Sequence, residues 1–166
     1  MQVKDWVVII TGGGTGVGAA AALMLAKDGA RITINYSRSA REAEETAKAC
    51  EDLGAETLVC QGDVSKDEDC RRIVAETMAK WGRIDGLMNN AGTTMLVADN
   101  NLESLSADDF LHIYSVNVVG AYQMTRAVAP HMKAQGRGSI VNTSSVAGVM
   151  GIGSSIAYAA SKGAMN

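Results

Sequence analysis

Tyr158 and Lys162 stand four residues apart in a run of small residues, Ala157 to Ala164. On a helix, that spacing places the phenol and the ammonium on one face. A free phenol titrates at about 10, too high for easy proton exchange at neutral pH. A neighbouring cation favours the phenolate. The pair therefore suits a general acid for carbonyl reduction, or a general base for alcohol oxidation. Read alone, the same two residues are also an ordinary exposed helix pair. Ser145 comes shortly before them, and its hydroxyl can hold a carbonyl oxygen and stabilise developing charge. Ser144 beside it offers the same group. Asn117 lies in Val116-Asn117-Val118, inside a helical stretch where asparagine is a poor fit.

A second chemical feature lies near the start. Thr11-Gly12-Gly13-Gly14-Thr15-Gly16-Val17-Gly18 follows an apolar run, Trp6 to Ile10, and precedes an Ala-rich stretch. Glycines there let a backbone come close to a pyrophosphate. The helix behind them offers free N–H groups and partial positive charge to phosphates. A Walker P-loop is excluded, because Ala19 stands where lysine is required.

The elements that position these residues read as alternating strands and helices. Strands are expected at Trp6–Ile10, Arg31–Tyr36, Glu56–Gln61, Ile84–Asn89 and Ser139–Thr143. Helices are expected at Gly18–Asp28, from Ser39 to about Asp52, from Ser65 to about Trp81, from Ser106 through Asn117 to about Lys133, and from Ala157 onward. Ser39 with Glu42, and Ser65 with Glu68, have the spacing of capping boxes. Parallel strands need crossovers, so this alternation predicts a doubly wound parallel α/β sheet.

The glycine spacing after a threonine resembles the short-chain dehydrogenase/reductase family. So do Asp63-Val64 after the third strand, Asn89-Asn90-Ala91-Gly92 after the fourth, and the ordered set Asn117, Ser145, Tyr158 and Lys162. The resemblance runs from Val7 to Asn166 and implies a Rossmann-type fold with strand order 3-2-1-4-5. It implies that Asn117, Ser145, Tyr158 and Lys162 are catalytic, with Asn117 holding a water that relays protons from the lysine. It implies a dinucleotide held by Gly12, Gly14, Thr15, Gly16, Val17, Gly18, Ser37, Arg38, Asp63, Val64, Asn90, Ala91, Gly92, Tyr158 and Lys162. Asp63 would reach the adenine; on its own it reads rather as a loop acid capping the turn before Ser65. The nearest subgroup resembles the 3-oxoacyl-acyl carrier protein reductases, so the expected substrate is a small carbonyl, an alcohol or an acyl-carrier-linked compound.

NADP(H) is expected over NAD(H). An NAD site places an acid at the end of the second strand. Tyr36 stands there, followed by Ser37 and Arg38. A homodimer or homotetramer is expected through the Asn117 and Tyr158 helices, whose small residues Gly120, Ala121, Ala157, Ala160 and Ala164 permit close approach. The family continues with further strands and a substrate lid, so residues 1–166 read as one dinucleotide-binding domain truncated at its C-terminus. The alternative function is a catalytically inactive dinucleotide-binding module, a sensor or scaffold; a purely structural α/β fragment is the third.

Composition narrows the classes. The chain has 166 residues with a net charge of −3 and 20% charged residues. It has no basic block for nucleic acid or a membrane surface and no apolar run of about 18 residues for a membrane span. Cys50, Cys60 and Cys70 have no CxxC spacing and read as reduced thiols. With His112 and His131 they suggest no metal site. No signal peptide is read, and a cytoplasmic location is expected.

Overall fold

The computed structural model describes residues 3–97 and 101–166. Five strands form one parallel sheet in the order β3-β2-β1-β4-β5. They are β1 (Val7–Ile10), β2 (Arg31–Tyr36), β3 (Thr57–Gln61), β4 (Gly86–Asn89) and β5 (Ser139–Asn142). The expected strand order is therefore observed. Each strand is trimmed by at most two residues from its expected span, except β2, which matches. β1 is central: Val8 pairs with Ile32 on one side and Gly86 on the other.

The sheet is coated on both faces, so β1 can be apolar throughout. Its pleat sends Val8 and Ile10 one way and Ile9 the other. Val8 and Ile10 join Ile32, Ile34, Ala22, Ala26, Ala43 and Ala47 under α1 (Gly16–Lys27) and α2 (Ala40–Glu51). Ile9 joins Ile73, Val74, Leu87, Met124 and Val128 under α3 (Asp67–Trp81) and the long helix that follows β4. Alanines fill the first layer because the glycine turn brings α1 and α2 close. A Cβ on Gly14 would lie 2.9 Å from the Ala43 backbone.

At the opposite end of the sheet Asp85 is buried. Its carboxylate accepts from the Val7 N–H at 3.0 Å and from Arg83 at 2.6 and 2.8 Å, and it pairs with Arg137 at 3.3 Å. Charged hydrogen bonds of this kind contribute about 1.5–3 kcal/mol each when sheltered. They fasten β1, β4 and the approach to β5 together at the end away from the glycine turn.

Neither expected capping box at α2 and α3 forms. Ser39 occupies the N-cap position of α2 without a side-chain bond. Ser65 turns away from α3, because Asp63 captures both its N–H (3.0 Å) and its hydroxyl (2.7 Å). Lys66 becomes the N-cap, and Asp67, Glu68 and Asp69 supply negative charge to the first turn instead. Ser106 does form a capping box, with Asp109, and starts α4 (Ala107–Tyr114).

The helix then widens into one π-helical turn, Ser115–Val119, and resumes as α5 (Gly120–Gln135). Such turns often mark functional positions, and this one contains Asn117. After β5 come α6 (Ala147–Met150) and α7 (Ile156–Gly163).

The small residues expected on a subunit face divide. Gly120 and Ala157 are buried inside this chain, while Ala160 and Ala164 are exposed. Gly120 faces inward because Val64 leaves no room: a Cβ there would lie 2.6 Å from a Val64 methyl group.

All three cysteines are free and buried. Burial raises their thiols, Cys50 to about 11 and Cys60 and Cys70 to about 12, so they are poor nucleophiles. Among the described residues no helix is long and apolar enough to cross a membrane. No cluster of three His, Cys, Asp or Glu side chains could hold a metal there either.

Candidate active site

The glycine turn sits at the carboxyl end of β1, where ligands enter open α/β sheets. Gly12 and Gly16 hold φ of 62° and 53°, values that favour glycine. Gly18 is needed for packing, since a Cβ there would lie 2.7 Å from Asn90 Nδ2 and closer still to the Gly12 carbonyl. The turn is fixed by side chains from two other strands. Asn90 Nδ2 donates to the carbonyls of Thr11 and Gly12 at 3.0 and 3.1 Å. Thr11 Oγ1 accepts the N–H groups of Asn90 and Ala91, both at 3.0 Å.

Asn35, buried at the end of β2, accepts the Gly12 N–H at 3.4 Å and donates to the carbonyl of Gly62 at 3.0 Å. Thr11 and Asn35 were not among the expected site residues. The available signal was an asparagine inside the apolar strand RITINY, where asparagine is disfavoured.

This turn floors a cleft of about 500 Å³. Gly12, Gly14, Thr15, Gly16, Val17, Ser37, Arg38, Asp63, Val64, Asn90, Ala91 and Gly92 all line it. Of the expected cofactor residues, Gly18 packs behind the turn instead, and Tyr158 and Lys162 lie in the adjoining cleft. His112 and Val116, from the helix after β4, close one wall and were also not expected. Asp63 faces the cleft with one carboxylate oxygen already bound to Ser65.

The opening turn of α1 carries no acid and no side-chain cap, which leaves its first N–H groups available. Glycines where a Cβ would collide, together with free helix N–H groups, fit a pyrophosphate. The volume suits a nucleotide.

A second cleft, of about 440 Å³, shares Asn90, Gly92 and Thr93 with the first and is lined by Ser144, Ser145, Tyr158 and Lys162. Ser155 caps α7 by accepting the Tyr158 N–H at 3.3 Å. Lys162, one turn on, is 3% exposed and donates to the Thr143 carbonyl at 2.6 Å. Its ammonium lies 5.7 Å from the centre of the Tyr158 ring. Burial pushes the lysine below its ordinary value.

Ser144 Oγ lies 3.1 Å from the Lys162 carbonyl and 2.6 Å from Asn166 Oδ1. Among the described residues Ser145 Oγ makes one hydrogen bond, accepting the Ala147 N–H at 3.2 Å, which leaves its proton for the cleft.

Asn117 is fully buried. Its Oδ1 accepts from the Thr93 N–H at 2.8 Å, and its Nδ2 donates to the Thr93 carbonyl at 3.0 Å and to Ser161 at 2.9 Å. The amide thus pins the loop after β4 to α7. A Cβ on Gly92 would sit 3.4 Å from Asn117 Oδ1 and 3.7 Å from Lys162 Nζ, so both groups converge on Gly92.

The profile of the short chain dehydrogenase family matches residues 6–166. An uncharacterized oxidoreductase of Thermotoga maritima is 40% identical over 165 residues, covering 99% of this chain and 63% of that protein. Levodione reductase of Leifsonia aquatica is 40% identical over 159 residues, covering 95% of this chain and 59% of that protein. The crystal structure of an NAD+-bound xylitol dehydrogenase superposes with a TM-score of 0.91 at 35% identity, over 99% of this chain and 62% of that one. The chain therefore spans about three-fifths of the length of the curated relatives it matches. With the match covering all of it from Trp6 onward, this chain belongs to the short-chain dehydrogenase/reductase family.

Proposed function

We propose that the protein is an oxidoreductase that moves a hydride between NADP(H) and a carbonyl or alcohol carbon, with Tyr158 as general acid or base. One observation carries the reading: the cleft floored by the glycine turn runs into the cleft holding Ser145, Tyr158 and Lys162, with Asn90, Gly92 and Thr93 common to both. The dinucleotide, when bound, supplies or accepts the hydride.

In the reductive direction the Ser145 hydroxyl holds the substrate oxygen. Tyr158 gives its proton to that oxygen as negative charge develops. The Lys162 ammonium stabilises the tyrosinate left behind. Asn117 acts as a positioning residue, because its amide is taken up by Thr93 and Ser161. The proton relay expected for Asn117 would then run past it and not through its amide. An assembly of like chains through the exposed faces of α5 and α7 is part of the same proposal.

The NADP(H) preference rests on the end of β2. Tyr36 carries no negative charge to meet a 2′-hydroxyl. Arg38 lines the cleft, is exposed, and makes no ion pair among the described residues. Its neighbour Arg41 is engaged by Glu42 at 3.4 Å and Glu45 at 3.8 Å. A free guanidinium can hold a phosphate bidentately. Ser37 and the uncapped hydroxyl of Ser39 stand beside it.

Calorimetric titration with both reduced cofactors tests this. NADPH should bind more tightly than NADH. Arg38→Ala should weaken NADPH alone by about ten- to a hundred-fold, the equivalent of one charged hydrogen bond of about 1.5–3 kcal/mol. Tighter binding of NADH, or an equal loss for both cofactors, would refute the preference.

A further inference from the structure

The cleft beyond Tyr158 is walled by hydroxyl groups. Thr94, Thr143, Ser144, Ser145 and Ser154 line it, with Leu96 the one large aliphatic side chain among the described lining residues. Val149, Met150 and Ile152 are exposed nearby but do not line it.

Two of the hydroxyls are joined. Thr94 Oγ1 and Ser154 Oγ lie 2.7 Å apart and bridge the loop after β4 to the segment entering α7. The bridge is held in place relative to the acid, because Ser155, the next residue, caps α7 on the N–H of Tyr158. Two hydroxyls offer two protons and four lone pairs. Their mutual bond uses one of each, and Thr94 has two further contacts, to the Met95 carbonyl at 3.3 Å and to the Ser155 hydroxyl at 3.4 Å, which leaves the lone pairs of Ser154 the freer of the two. Acceptor sites remain open toward the cleft. Thr143 Oγ1 also has no partner among the described residues, but it is closed to solvent and lies behind the wall, so the open groups are the Thr94 and Ser154 hydroxyls. A wall of this kind suits a ligand that carries oxygen, since a hydrocarbon pressed against it would strip water from hydroxyls and give nothing back.

We propose that this site selects small polyoxygenated substrates, hydroxyketones for reduction and vicinal diols or polyols for oxidation, by hydrogen-bonding a hydroxyl beside the reacting carbon to the Thr94–Ser154 pair. The inference rests on the oxidoreductase reading above. In reduction the hydride passes from the reduced dinucleotide to the carbonyl carbon, and the Tyr158 proton passes to its oxygen. The C=O π bond breaks, a C–H and an O–H bond form, and a diol and the oxidised dinucleotide leave. Solvent returns the proton to Tyr158.

The test is a matched pair of ketones, hydroxyacetone and butanone, which differ by a hydroxyl in place of a methyl group. It is run on the protein expressed from its whole reading frame with saturating reduced cofactor. A site built around a hydroxyl discriminates strongly against the analogue that lacks it, so kcat/KM for hydroxyacetone should exceed that for butanone by about tenfold or more. An α-hydroxyl also activates a ketone, so the variants are decisive. Thr94→Val and Ser154→Ala should each lower kcat/KM for hydroxyacetone by about two- to ten-fold, the value of one neutral hydrogen bond, and leave butanone nearly unchanged. Thr94→Ser should restore the preference. In calorimetry, 1,2-propanediol should bind the protein loaded with oxidised cofactor more tightly than 2-butanol does, and Ser154→Ala should abolish the difference.

A preference for butanone, or equal losses on both ketones in both variants, would overturn the substrate assignment. Turnover that depends on Tyr158 but ignores the hydroxyl defeats this inference alone. Absence of turnover on every ketone defeats the oxidoreductase reading with it.

Discussion

Replacing Tyr158 with phenylalanine is expected to lower turnover by about two to four orders of magnitude, the range that a positioned acid contributes, and to leave the dissociation constant for reduced cofactor nearly unchanged. The ring stays where Ser155 and α7 hold it, and only the hydroxyl is lost. The glycine turn, which carries the proposed pyrophosphate contacts, is untouched. Steady-state kinetics and calorimetry on the same preparation check both halves. Turnover near that of the wild type would remove Tyr158 from the chemistry. A parallel collapse in cofactor affinity would recast it as a binding residue.

Lys162→Met is expected to be nearly as damaging to activity, about a hundred-fold or more in kcat, while the fold holds. Methionine reproduces the length of the lysine stem. It loses the hydrogen bond to the Thr143 carbonyl at 2.6 Å, but it also removes an ammonium that is 3% exposed. Replacing a buried charge by an apolar side chain of similar volume is often neutral or stabilising.

The pH dependence gives a second readout. Burial lowers the lysine below its ordinary value of 10.5 in the folded chain. In the window between the folded and unfolded values the unfolded chain binds the extra proton, so stability rises with pH there. That gain is lost as pH falls through the folded value. The raised thiols of Cys50, Cys60 and Cys70 lower stability at alkaline pH in both proteins alike, so the lysine is read from the difference: thermal unfolding of the wild type should gain on that of Lys162→Met as pH approaches 10.5. A methionine variant that unfolds far below the wild type at neutral pH would show that the lysine is chiefly structural.

Much of this fold was legible in the sequence because its signals are local. Five apolar runs separated by helical stretches determine a parallel sheet, and the glycine turn marks where β1 enters α1. The residues around the clefts were legible for the same reason, since Tyr158 and Lys162 share one helical turn and Asn90 to Gly92 are contiguous. Interactions that join distant residues were not. Asp63 captures Ser65 and moves the start of α3, a competition between two local bonds that spacing alone cannot rank. The π-helical turn holds Asn117, whose buried amide reaches both Thr93 and Ser161. Thr94 and Ser154 are 60 positions apart, and Asn35 reaches the glycine turn only because β2 lies beside β1. His112 enters the cleft wall through the packing of a whole helix. Apart from the local competition at Asp63 and Ser65, each of these depends on tertiary contact, which spacing along the chain does not record.

The central claim is hydride transfer, and isotope transfer tests it most directly. The protein, expressed from its whole reading frame, is incubated with NADPH carrying deuterium at C4 of the nicotinamide and with a hydroxyketone, and the alcohol formed is analysed by mass spectrometry. The pro-R and pro-S labelled cofactors are tried in turn. One of them should place a single deuterium on the new carbinol carbon, and Tyr158→Phe should suppress its appearance. Cofactor binding with neither label transferred to any carbonyl would contradict the account and leave a dinucleotide-binding module without catalysis.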